Sequence, residues 1–279
     1  MIYAGRKRVE AVRFLIYSNP ASSEARCFSG DLEQMLQRKG QQIVVKEPPE
    51  TADVIAVLGG DGTVLRAVRA FQRYGKPIWA VNCGHLGYLT DCSPDEAGQA
   101  LDRIINNDYT LEYRTRLKGE TNKGNRVTAM NELLLHRGAC VHALSIEVLV
   151  NGSTALKYRG DGLIICTPSG STAYNLSAGG PVLMPEMKMM ALTPICPQSV
   201  AVVPIVISSR DAVRVSWYVS GDEDGWEKPN LTADGQEKLL LPLEGTLSVR
   251  ELKPQLAFIR TRKGDFYGRL QQRMHWNLE

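Results

Sequence analysis

Val57-Leu58-Gly59-Gly60-Asp61-Gly62-Thr63-Val64-Leu65 decides the fold, because an apolar, β-favouring run passes through three glycines in four residues and turns straight into a helical pattern. Glycines without Cβ let backbone N–H groups approach an anion, and the positive end of the following helix points at it. Strand, loop and helix together therefore make a phosphate cradle. Such a loop lies at the carboxyl end of a strand, where open α/β sheets bind ligands. The aspartate within it is the anomaly. Beside a phosphate a carboxylate repels the ligand unless it holds a metal or takes a proton from an attacking hydroxyl. Gly-Asp-Gly also reads as a plain turn.

Outward from this loop, residues 12–17, 42–46, 53–58 and 78–81 read as strands. Residues 22–39 place Cys27, Phe28, Leu32, Met35 and Leu36 on one helical face; 64–74 and 93–107 continue as helices, the last opening on Ser93-Pro94-Asp95-Glu96. This alternation predicts an N-terminal, Rossmann-like three-layer α/β domain with a largely parallel sheet. From about Tyr109 the character changes. Residues 109–117, 126–135, 144–150, 153–158, 162–166, 200–208, 212–219, 230–233 and 245–250 favour strands, with turn signals at Asn151-Gly152 and Asp234-Gly235. They predict a second, β-rich domain, and the tail from Phe258 to Trp276 ends on a helical pattern.

The 33 basic and 30 acidic residues leave a net charge of +3, and the clusters Arg6-Lys7-Arg8 and Arg260-Thr261-Arg262-Lys263 are too short to form a basic stripe. Nucleic acid is therefore not the expected partner. Cys27, Cys83, Cys92, Cys140, Cys166 and Cys196 form no C-x-x-C pair and no group with histidine, which argues against structural zinc and a disulfide scaffold. Several sit inside apolar runs, as Cys166 does in Gly162-Leu163-Ile164-Ile165-Cys166, and read as buried free thiols of a reducing compartment, the cytoplasm. The longest apolar stretch, Val200 to Ile207, contains Pro204 and falls far short of the roughly 20 residues that span a bilayer. The N-terminus, Met1 to Arg13, lacks the continuous apolar segment of a signal peptide.

Gly59-Gly60-Asp61-Gly62-Thr63 resembles the signature shared by NAD kinases, lipid kinases of the diacylglycerol and sphingosine type and, more distantly, phosphofructokinases. Three further segments narrow the resemblance to the NAD kinase family. Asn82-Cys83-Gly84-His85-Leu86-Gly87-Tyr88-Leu89 is similar to its N-x-G-x-x-G-F-L loop, and Met130-Asn131-Glu132 to its N-E pair. Most specific is the run from Arg159-Gly160-Asp161-Gly162 through Thr167-Pro168-Ser169-Gly170-Ser171-Thr172-Ala173-Tyr174 to Gly180-Pro181; Leu192 to Pro197 and Asp234-Gly235-Gln236 follow in family order. The chain departs from the family pattern after Pro197, where Gln198 replaces a usual histidine and Val203 a usual arginine, and the region of Trp226 does not align.

The resemblance implies transfer of the γ-phosphate of ATP to the 2′-hydroxyl of the adenosine ribose of NAD, with a divalent metal, Mg2+, at a position the sequence does not fix. It implies an α/β domain over residues 1–108, a β-sandwich-like domain over 109–255 that carries the dinucleotide site, and a segment 256–279 that returns to the first domain. It also implies a homo-oligomer, dimer or tetramer, and no membrane partner. Asp61 is the expected catalytic residue, with Gly62 and Arg66 of the phosphate loop and its helix beside it. Asn131 and Glu132 suit the two hydroxyls of a ribose. Tyr88, His142, Arg159, Asp161, Ser169, Thr172, Ala173, Tyr174, Asn175, Leu176, Ser177 and Gln236 complete the expected nucleotide contacts. Several have a plainer reading: Asp161 as half of an ion pair, Asn131-Glu132 as an edge-strand turn, Tyr174 as core, His142 as a satisfied histidine.

Two other functions compete. Lipid kinases usually continue the loop with Asn-Glu after Gly-Thr-Val, where this chain has Leu65-Arg66. A regulator that binds NAD without turnover would be free to lose Asp61, which is present.

Overall fold

The computed structural model describes residues 11–84, 87–139, 142–219, 228–262, 264 and 266–274. Arg6-Lys7-Arg8, His85, Leu86, Cys140, Trp226, Lys263 and Trp276 lie outside the described residues. The chain divides into two compact units, residues 1–112 with 257–279 and residues 113–256.

The first unit is built on β1 (Arg13–Ser18), β2 (Gln42–Ile43), β3 (Val54–Leu58) and β4 (Ile78–Val81), interleaved with α1 (Ser23–Arg38), α2 (Asp61–Phe71) and α3 (Ala97–Ile105). The strands lie parallel in the order β2-β1-β3-β4. Every residue of β3 is buried, as a central strand covered on both faces requires. Val54, Ala56 and Leu58 join a core with Phe28, Leu32 and Leu36 of α1 and Leu101 and Ile104 of α3. Alternation along a strand turns Ile55 and Val57 to the opposite face. There Tyr17 of β1 meets Phe71 of α2 edge-on at 5.5 Å, so the unit has three layers.

The second unit holds β5 (Thr110–Thr121, entering from the first), β6 (Arg126–Ala129), β7 (Glu132–His136), β8 (Leu144–Val150), β9 (Ser153–Gly160) and β10 (Gly162–Cys166). It continues with the short α4 (Tyr174–Ser177), β11 (Met189–Ile195), β12 (Ile205–Ser208), β13 (Val213–Tyr218), β14 (Asn230–Ala233), β15 (Glu237–Leu240) and β16 (Glu244–Arg260). An antiparallel sheet runs β12-β11-β10-β7-β14-β15, and β16, β13, β8 and β9 form another. Leu133, Leu135, Leu163 and Ile165 from the former and Ile146, Val148, Val215 and Leu247 from the latter share one apolar core. This is the β-rich second domain expected from the sequence, in the sandwich-like form that the family resemblance implies. The last residues of β16 cross into the first unit and pair parallel with β4, and α5 (Phe266–Met274) closes the chain.

Several expectations are corrected. The helix after the glycines starts at Asp61, not Val64, so the acidic residue sits in its first turn. The strand expected over 126–135 breaks at Met130-Asn131, because Asp234 takes the backbone N–H groups there. Only Ile205–Ser208 of the apolar run 200–208 is strand: Pro204 has no N–H, and Val200 is fully exposed. Cys27 and Cys196 are exposed; only Cys83, Cys92 and Cys166 of the described thiols are buried.

Candidate active site

In the first unit the phosphate loop is fixed by packing that excludes side chains. Gly59 has φ +147°, and a Cβ there would lie 2.5 Å from the Thr63 hydroxyl. Gly60 caps α2 without a side-chain bond. The Asp61 carboxylate is half-buried and held from the second glycine loop: Tyr88 N–H donates to Oδ2 at 3.0 Å and Leu89 N–H to Oδ1 at 3.0 Å. A Cβ at Gly87 would fall on that carboxylate. Gly87→Ala should therefore lower kcat by about 10²-fold through misplacement of Asp61, with the KM for NAD little changed. Steady-state kinetics checks this, and an unaltered kcat contradicts it.

Around this centre, Tyr88 is buried with its ring 6.2 Å from that of Phe266. Arg66 is exposed on α2, one N–H reaching the Thr63 hydroxyl at 3.3 Å. Asn82 Oδ1 is buried with no hydrogen-bond partner among the described residues. Gly62 is exposed in the first turn of α2.

In the second unit the organising residue is Asp234, at a positive-φ turn joining β14 to β15. Its Oδ1 accepts the N–H groups of Met130 (3.0 Å), Asn131 (2.7 Å) and Glu132 (3.3 Å), folding the chain between β6 and β7 around one carboxylate. Thr167 N–H donates to the Asn131 carbonyl (2.9 Å), and its hydroxyl donates to the Met130 carbonyl (2.6 Å) and accepts from Gly170 N–H (3.1 Å). A Cβ at Gly170 would overlap the Asn131 carbonyl. Buried Arg114 donates to the Ser169 hydroxyl at 3.1 Å. Asn131, Glu132, Ser169 and Gly170 thus form one cluster through Thr167 and Asp234. Neither of the latter two stood among the expected contacts.

Glu132 begins β7, a central strand rather than an edge, and pairs with Cys166. Its Oε2 and Asn131 Oδ1 are buried without hydrogen-bond partners among the described residues. Burial, and secondarily the Asp234 charge, pushes the Glu132 carboxyl up to about 8 from an ordinary 4.5. At neutral pH it is mostly protonated, so it donates as well as accepts. Because the folded-state value is the higher one, this proton contributes stability that is complete below about 4.5 and is lost as pH rises through about 8. Relative to Glu132→Gln, the wild-type melting temperature should therefore fall between pH 5 and pH 9; parallel curves would contradict this.

Of the other expected residues, Asp161 lies apart from this cluster, while the 172–177 turn runs on from it. Asp161 pairs with Arg137 at 2.7 Å, at the end of β10 where Gly162 faces His136. Four residues of strand, roughly 13 Å, separate that end from Glu132. Arg159, His142, Tyr174, Ser177 and Gln236 are exposed, while Ala173 and Leu176 are half-buried. Thr172 is buried, its hydroxyl 3.5 Å from the Ser169 carbonyl. Fully buried Asn175 is committed internally: its amide donates to the Ser171 (3.2 Å) and Pro181 (3.0 Å) carbonyls, and its Oδ1 accepts from Thr193 at 2.6 Å. Burial pushes the Cys83 thiol up to about 11 and those of Cys92 and Cys166 to about 12, so none of the three is a nucleophile near neutrality.

Residues 15–109 match the ATP-NAD kinase N-terminal domain, and residues 130–261 the ATP-NAD kinase C-terminal domain. An NAD kinase of Psychrobacter arcticus is 35% identical over 233 residues, 82% of this chain and 70% of that protein. An NAD kinase from Archaeoglobus fulgidus, solved in complex with ATP, has a TM-score of 0.78 at 25% identity, covering 93% of this chain and 99% of that one. A yeast NADH kinase solved with NADH shares the fold, with a TM-score of 0.85 at 22% identity over 96% of this chain and 89% of its own. Fold, glycine-framed carboxylate and relatives together define a phosphotransferase. The chain belongs to the ATP-NAD kinase family.

Proposed function

We propose that this enzyme, which phosphorylates NAD with ATP, uses Asp61 to orient the 2′-hydroxyl of the adenosine ribose and to take its proton as the γ-phosphate is transferred. The observation that carries this reading is the Asp61 carboxylate fixed at both oxygens by main-chain N–H groups in a glycine-framed loop. An ordinary carboxylate is a weak base against an alcohol, so most of its value is in positioning. The first turn of α2, with Gly62 and Arg66, faces phosphate charge in this reading.

Asn131 and Glu132 bind the dinucleotide. Their unpartnered buried oxygens and the Glu132 proton offer the donor and acceptor atoms that a ribose diol matches. Ser169, Thr172 and the 173–177 turn supply neighbouring contacts, with Tyr174 and Tyr88 as ring surfaces. Arg159, Asp161, His142 and Gln236 are more distant contributors. Asn175 acts by holding that turn rather than by touching ligand.

Among the described residues no three or more His, Cys, Asp or Glu side chains gather as a metal site. Mg2+ carried by ATP needs one or two protein carboxylates beside phosphate oxygens, and Asp61 is the carboxylate of the loop. When bound, the cation neutralises charge on the transferring phosphoryl group. No helix among the described residues is long and apolar enough to cross a membrane. Buried free Cys83, Cys92 and Cys166 fit a reducing cytoplasm. A homo-oligomer belongs to the same reading, supported by exposed Met187, Met189 and Val206 near the β12 edge.

Purified protein with ATP, magnesium and NAD, coupled to an NADP-specific dehydrogenase, tests the function. NADP above a heat-killed control is expected; NAD binding without NADP would instead make the protein a regulator.

A further inference from the structure

The loop that holds Asp61 is itself gripped by the end of the chain. Arg260 donates to the carbonyls of Leu89 (3.1 Å) and Thr90 (3.0 Å), and Arg262 to that of Asp91 (3.0 Å). Arg269 of α5 donates to the carbonyls of Thr90 (2.7 Å), Gly87 (3.3 Å) and Asp91 (3.4 Å). The Asp91 side chain, 1% exposed, answers by accepting the Thr261 N–H (3.1 Å) and hydroxyl (2.7 Å) and the Trp79 indole (3.3 Å).

One of these bonds differs from the rest. The Gly87 carbonyl and the Tyr88 N–H belong to the same planar amide. Arg269 donates to its oxygen, and its N–H donates to Asp61 Oδ2. A cation at the oxygen polarises the amide and strengthens the N–H as a donor. Burial and the neighbouring Arg260 and Arg262 push the Arg269 guanidinium down, and Asp91 and Asp61 act in the opposite direction, as its counter-charges. Arg262 lacks such a link, since the amide it meets carries no N–H to Asp61.

We propose that Arg269 is the positioning residue of Asp61, holding the carboxylate in its reactive orientation through the single amide between Gly87 and Tyr88. This rests on the catalytic role given to Asp61 above. Replacing Arg269 should then act on turnover, not on substrate affinity.

The test compares Arg269→Gln, Arg269→Lys and Arg262→Gln in the whole enzyme, by steady-state NADP formation and melting temperature. Arg269→Gln should lower kcat by about 10²-fold, with KM for NAD and ATP within about threefold. Arg269→Lys, which keeps the cation, should restore most of that loss. Arg262→Gln removes a comparable brace and should stay within about threefold of wild-type kcat. Near-normal kcat in Arg269→Gln, a lysine variant as slow as the glutamine variant, or an equal loss in Arg262→Gln would each overturn the proposal. If Arg269→Gln does not fold, the lysine and Arg262 variants still decide it. A wild-type enzyme without NADP formation would instead overturn the functional reading on which it rests.

Discussion

Asp61→Asn should remove turnover and leave NAD affinity largely intact. Asparagine matches aspartate in size, so α2 and the glycine turns keep their packing. Its side chain accepts through one atom only, however, and either Tyr88 N–H or Leu89 N–H loses the acceptor it now has. It also takes no proton from a hydroxyl and binds no cation as an anion. General-base contributions are typically about 10² to 10⁴ in rate, and poorer positioning adds to the loss. Because Asn131 and Glu132 lie on another unit of the chain and keep their own supports, binding should move far less. Steady-state NADP formation beside calorimetry with NAD measures both. A mutant with near-normal kcat would return Asp61 to the role of a turn residue.

Glu132→Ala has the opposite signature. The residue is 7% exposed and its Oε2 meets no donor among the described residues, which leaves the hydrogen-bonding capacity that the proposed ribose contact would use. Loss of a hydrogen bond from a neutral carboxyl costs roughly 0.5–1.5 kcal/mol, which is about 2- to 13-fold in Kd. The substitution leaves the Asp234 bonds to the backbone in place, so the loop should persist. Calorimetry with NAD should show the weakened Kd and kcat at saturation should change little; unchanged affinity in a folded mutant would make the residue purely structural.

What was legible in the sequence was local. A fully apolar β3 followed by glycines and an amphipathic α2 announces itself between Val54 and Phe71, and so do β8, β10 and the Asp234-Gly235 turn within their own short stretches. What was hidden depends on distant partners. Strand β11 contains Pro194, which propensity rejects; β12 pairs only from Met189 to Leu192, so the proline lies beyond its end and forfeits no bond on that side. The break between β6 and β7 is imposed by Asp234 from about a hundred residues away. Strand β16 runs to Arg260 because its two ends serve different units. The internal tie that Asn175 makes is of this kind, since its Thr193 partner lies on β11. The clamp of Arg269 on the Asp61 loop spans more than 170 residues, and an isolated arginine in a tail carries no sign of it.

The central claim is tested most directly by following the phosphorus. Wild-type enzyme is incubated with γ-labelled ATP, magnesium and NAD, and the position of the new phosphate is read by phosphorus NMR. The account predicts label on the dinucleotide, as a monoester at the 2′-position of the adenosine ribose. Label found only as inorganic phosphate, or on any other hydroxyl, would contradict it.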